Sequence, residues 1–131
     1  RQRQMCIRDR HPFYPNSGYG STAPNVVNTP LPAGSGSMPF REAVDFYWLP
    51  RLKAFEPELI LISAGFDAHQ ADDMAGLNLV DTDYAWVTRR ICEQADRSAR
   101  GRVVSSLEGG YELHALARSV EAHIKAFLGE S

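Results

Sequence analysis

Asp67 and His69 end the stretch LILISAGFDAH, and Tyr111 follows the paired glycines of SSLEGGY. In both stretches an apolar run stops and a side chain with chemistry begins. A carboxylate and an imidazole are metal ligands and proton carriers, and a phenol donates a hydrogen bond. In open α/β sheets, ligands bind outside the carboxyl ends of the strands. If these two runs are neighbouring strands, Asp67 and Tyr111 face one crevice. Plainer roles stand beside this one. Asp67 can cap the turn after its strand, His69 can hold its loop by a hydrogen bond, and Tyr111 can be a buried aromatic at a helix start.

The flanking pattern supplies the elements that would position these groups. Residues 58–64 and 102–110 read as strands, each near-continuously apolar and the first buried on both faces. Three helices surround them. The first covers 40–55, with Pro50 kinking or breaking it. The second covers 81–100, with Asp81 or Thr82 capping its start and Gly101 at the position just past its end. The third covers 113–128, where Leu113, Leu116, Ala117, Val120, Ile124, Phe127 and Leu128 keep the three-and-four spacing of an amphipathic face. Residues 11–39 are dense in Gly, Pro, Ser and Asn and read as a long loop with a short strand at 25–28. Strands alternating with helices predict an α/β fold with a parallel sheet and right-handed crossovers. A parallel pair buried on both faces needs further strands beside it, so the chain reads as part of a larger domain. Cys92, inside the second helix, reads as a small core residue. His114 and His123 on the last helix read as ordinary surface or flank positions, and Asp72 as a residue that orders its loop.

Composition narrows the function classes. The formal net charge is −2, and the body of the chain has no dense basic run, which argues against nucleic acid or an anionic membrane as the main partner. No apolar run nears the roughly 20 residues of a membrane helix. The two cysteines, Cys6 and Cys92, do not make a disulfide framework, which fits a cytoplasmic setting. The opening RQRQMCIRDR carries four arginines and no apolar periodicity. Its MCIRD resembles the translated end of a transposon used to prepare sequencing libraries. Residues 1–10 are therefore expected to be non-native, and 11–131 to be the C-terminal portion of one domain.

SAGFDAH with DDM, then GRVVSSLEGGYEL about forty residues later, the apolar helix and LGES resemble the C-terminal part of the zinc-dependent histone deacetylase superfamily. The likeness is closest to the class II-like branch, which includes acetylpolyamine amidohydrolases and acetoin-utilisation-type deacetylases. HPFYPNSG resembles that family's aromatic, proline and glycine loop. The resemblance implies an arginase-like deacetylase domain that hydrolyses an acetylated amine, acetyl-lysine or acetylpolyamine, with Zn2+ as cofactor.

By the same resemblance Asp67 is one of three zinc ligands. The other two belong to an upstream Asp-x-His motif, and an upstream tandem histidine pair handles the water. Neither motif is in this chain, so it is expected to be inactive alone and poorly stable. His69 has Asp-x-His spacing from Asp67 but lies on the wrong loop to be a family ligand. Tyr111 matches the tyrosine that donates its hydroxyl to the scissile carbonyl. Phe13 and Tyr14 match the tunnel aromatics, Tyr14 the better wall. Gly109 and Gly110 leave room beside the acyl stem, and Met74 falls near the tunnel mouth. Asp73 departs from the family's proline after Asp72, which leaves the substrate class open. The competing expectations are another arginase-like metallohydrolase, disfavoured by the absence of a second Asp-rich motif, and a non-catalytic α/β interaction module.

Overall fold

A computed structural model describes the backbone of residues 4–8 and all of residues 25–130. Among the described residues, four strands form two parallel pairs. β1 (Gln4–Arg8) runs beside β2 (Val26–Pro30), in register from Gln4 opposite Val26 to Arg8 opposite Pro30. β3 (Ile60–Ala64) runs beside β4 (Val103–Leu107), from Ile60 opposite Val103 to Ala64 opposite Leu107. The parallel pairing expected of alternating strands and helices is therefore present. So is a strand within the opening segment that the sequence places outside the fold.

The first helical stretch begins earlier than its apolar spacing predicts. α1 spans Ser37–Ala43, and Pro39 sits in its first turn, where no N–H is needed. Ahead of Pro50 the helix widens into a π-helical turn, Val44–Trp48, in which the Leu49 N–H reaches back to the Val44 carbonyl. α2 (Leu49–Phe55) then restarts with Pro50 in its first turn. The break expected at Pro50 is met by a wide turn that spares the proline an impossible bond.

α3 spans Asp81–Ser98. Its start is not capped by Asp81 or Thr82. Asp83 instead turns back and accepts the Val80 N–H at 3.0 Å. The same fully buried carboxylate accepts from Ser37 at 2.7 Å and pairs with Arg41 at 2.8 Å, clamping α1 onto α3. At the far end Arg100, not Gly101, takes the position just past the cap, and both residues have positive φ.

The helices cover only one face of the β3–β4 pair. Ile60 and Ala64 face them and are buried, whereas Leu61 is 71% and Val104 56% exposed. β3 is thus not buried on both faces, because nothing among the described residues packs against its other side. The main core gathers Phe40, Val44, Phe66, Leu77, Leu79 and Tyr84. A smaller cluster joins Ile60 to Ala95 and Ala99.

α4 (Leu113–Phe127) also departs from its sequence pattern. Ala115, Ser119, His123 and Ala126 are its buried residues, and Leu113 and Leu128 are exposed. The inward stripe is rotated from the most apolar one because α3 approaches where small residues allow close packing. His123 is therefore a core residue, correcting its expected surface position. No helix among the described residues is long and apolar enough to cross a membrane.

Candidate metal centre at the strand ends

β3 and β4 end side by side, so the segments after them emerge at one edge of the sheet. They stay zipped for one step beyond the strands. The Glu108 N–H donates to the Ala64 carbonyl at 2.9 Å, and the Phe66 N–H to the Gly109 carbonyl at 2.8 Å. Asp67 follows Phe66 at once, and its carboxylate lies against Gly109. A Cβ on Gly109 would stand 3.2 Å from Oδ1 of Asp67, and one on Gly65 would stand 3.0 Å from it. Two glycines therefore cradle one carboxylate. A side chain at Gly109 would therefore crowd the protein's own acid. Gly110 is required for a different reason: its φ is +136°, and a Cβ there would come within 2.6 Å of Leu116.

Asp72 binds the two motifs together. Its Oδ2 accepts the N–H of Tyr111 at 2.6 Å and of Glu112 at 3.1 Å, and its Oδ1 accepts the N–H of Met74 at 3.0 Å. Met74 and Tyr111 are thus anchored to one buried carboxylate. Burial pushes the Asp72 carboxyl up. The N–H donors of Tyr111, Met74 and Glu112 outweigh burial and hold it below the usual carboxylate range. The side chains of Tyr111 and Met74 are exposed, Tyr111 by 61%. Phe13 and Tyr14 lie outside the described residues.

His69 is buried and committed. Its Nδ1 accepts the Ala71 N–H at 3.0 Å, so its Nε2 carries the proton that faces Asp81 at 3.1 Å. Asp81 also accepts from Arg118 at 3.1 Å and Ser119 at 3.2 Å, which joins the Asp67 loop to α4. Glu112 caps α4 by accepting from His114 and Ala115, and those N–H groups hold its carboxyl below the usual range. Tyr84 donates its hydroxyl to the Phe66 carbonyl at 3.0 Å, and burial with nearby Asp67 pushes its phenol far upward.

A carboxylate at a sheet edge, cradled by glycines, suits one position of a zinc donor set. Among the described residues no three His, Cys, Asp or Glu side chains form a metal cluster. The Asp67 carboxylate thus fits one position of such a set, which the described residues do not complete.

The histone deacetylase domain model matches residues 6–127. "Histone deacetylase 10, chloroplastic" of Oryza sativa subsp. japonica is 42% identical over 113 residues, 86% of this chain and 26% of the relative. "Probable deacetylase" of Archaeoglobus fulgidus is 37% identical over 108 residues, 78% of this chain and 30% of the relative. The crystal structure of the HDA15 HD domain superposes with a TM-score of 0.83 at 30% identity, over 97% of this chain and 37% of that one. The chain thus spans about a quarter to a third of the length of these curated relatives. By the match over residues 6–127 and the shared α/β architecture, the chain belongs to the histone deacetylase family.

Proposed function

We propose that this chain is the C-terminal portion of a zinc-dependent deacetylase that hydrolyses an acetylated amine, with Asp67 as a zinc ligand and Tyr111 as the donor to the scissile carbonyl. One observation carries the proposal. The Asp72 carboxylate fixes the Tyr111 backbone at 2.6 Å on the sheet edge that presents Asp67.

Zinc, when bound, would supply Lewis acidity and an activated water. The chain's own residues do the rest. Asp67 offers a carboxylate oxygen in a cradle whose shape excludes a larger neighbour. The Tyr111 hydroxyl donates a hydrogen bond to the carbonyl oxygen as negative charge gathers there. Asp72 holds the Tyr111 backbone in place so that this donor costs little reorganisation. Phe13 and Tyr14 would line the acyl channel, with Met74 near its mouth. Exposed Asp73 at the rim would draw a cationic amine. The remaining donors, an Asp-x-His, and a histidine pair would come from upstream sequence that is not in this chain. The chain by itself would then be inactive, and residues 1–10 would be foreign to the gene.

The test is Tyr111→Phe in the full-length gene product. Turnover of an acetyl-lysine peptide or an acetylated polyamine should fall about 10²–10³-fold, with zinc content unchanged. Turnover within twofold of the parent, or a parent that deacetylates neither substrate, would refute the assignment. Sequencing the gene ahead of His11 tests the rest: it should show Asp-x-His and His-His in place of RQRQMCIRDR.

A further inference from the structure

We propose that His123 is a positioning residue for Asp67, acting through the ring of Phe66; this rests on the zinc role proposed for Asp67. Nothing in the mechanism uses His123, yet it sits where three elements meet. Its Nδ1 lies 2.6 Å from the Thr88 hydroxyl on α3, and its Nε2 lies 2.9 Å from the Ser105 hydroxyl on β4. Thr88 donates its own proton to the Tyr84 carbonyl at 2.6 Å. The Thr88 oxygen must then accept from His123 Nδ1–H, and because burial disfavours the imidazolium, Nε2 accepts from Ser105. The imidazole is thus neutral, in one tautomer, with both nitrogens occupied.

The ring itself meets Phe66 edge-on, centroids 5.6 Å apart, and Phe127 at 4.7 Å. Phe66 is the residue before Asp67. Tyr84 packs on the same ring at 5.0 Å and bonds the Phe66 carbonyl. Thr88 therefore links the two residues that grip Phe66, since it bonds His123 with its oxygen and the Tyr84 backbone with its proton. Phe66 is fixed by Gly109 at its N–H, by Tyr84 at its carbonyl and by His123 at its ring. Little freedom remains for the backbone that delivers the Asp67 carboxylate. Groups that orient a metal ligand typically change metal affinity 10–100-fold when removed.

The experiment uses the full-length gene product with His123→Phe, which keeps a ring and loses both hydrogen bonds, and Thr88→Val, which keeps shape and loses the hydroxyl. Zinc affinity is read by competition with a chelator, and exchange of the Phe66 amide is read in the metal-free protein. Both variants should bind zinc about tenfold or more weakly and exchange the Phe66 amide faster, with KM within twofold. Thr88→Ser should restore both readouts. Variants that melt lower but keep wild-type zinc affinity and Phe66 exchange would overturn the proposal, leaving His123 a packing residue. If His123→Phe does not fold, Ser105→Ala decides on the same scales, and an unchanged affinity there overturns it too. A wild-type protein that binds no zinc would instead refute the role of Asp67.

Discussion

The sharpest consequences at the scale of single residues concern Asp72 and Gly109. Asp72→Asn keeps the shape of the side chain but offers one acceptor atom where two are used. Either Met74 or the Tyr111 and Glu112 pair then loses its acceptor. An unpaired buried donor costs about 1–3 kcal/mol, so thermal unfolding of the full-length protein should show a loss of that size, with slower turnover. Unchanged melting would show that Asp72 is not the clasp between the motifs. Because its folded carboxyl lies below the ordinary value, the stability Asp72 contributes is complete above about pH 3.8 and is lost as pH falls through the depressed value. Gly109→Ala pushes a methyl to 3.2 Å from the Asp67 carboxylate. It should weaken zinc binding, measurable by chelator competition, more than it lowers the melting temperature. The placement of Asp67 and Tyr111 just past neighbouring strands is legible in the sequence because each follows an apolar run that stops abruptly. The hold of Asp72 on Tyr111 was not, since its partners are backbone N–H groups 39 and 40 residues away. The close approach of the Asp67 carboxylate to Gly109 is likewise illegible in the sequence, since the two lie 42 residues apart on different strand ends.

Among the elements, α4 separates what periodicity can and cannot reveal. Its length and start follow from the apolar spacing, and Leu116 and Val120 of that spacing pack on the core, but the most deeply buried positions lie beside the apolar stripe. Hydropathy favours the stripe through Leu113, Ile124 and Leu128, whereas contact with α3 selects Ser119, fully buried, and His123. Small and polar residues win because they permit close approach and find partners in Asp81, Thr88 and Ser105. Burial holds the His123 imidazole below its ordinary value of 6.5. The unfolded chain therefore takes up the proton first. Stability should be full above pH 6.5 and should decline below it, by at most about 1.4 kcal/mol per pH unit. Denaturant midpoints from pH 7 to pH 5 would show this slope shrinking in His123→Phe. An identical slope in both proteins would place the titration elsewhere. The π-helical turn at Val44–Trp48 is a gentler case, because Pro50 announced a break without saying what form it would take.

At the scale of the whole molecule, the described residues form an α/β unit in which none of them covers one face of the β3–β4 pair. Leu61 and its register partner Val104 are exposed together on that face. Produced by itself, the 131-residue chain should self-associate and bind a hydrophobic dye, and Leu61→Lys with Val104→Lys should raise its solubility; a monodisperse, dye-silent chain would contradict this. The parallel class of the fold was readable from alternating strands and helices. The bare face was not, because an apolar run looks the same whether or not a neighbour covers it. Everything proposed about chemistry converges on Asp67. The most direct measurement is the zinc content of the purified full-length protein beside that of Asp67→Asn. About one zinc per chain in the parent, lost from the variant at equal folding, is the expected result; equal zinc in both, or none in the parent, would contradict it.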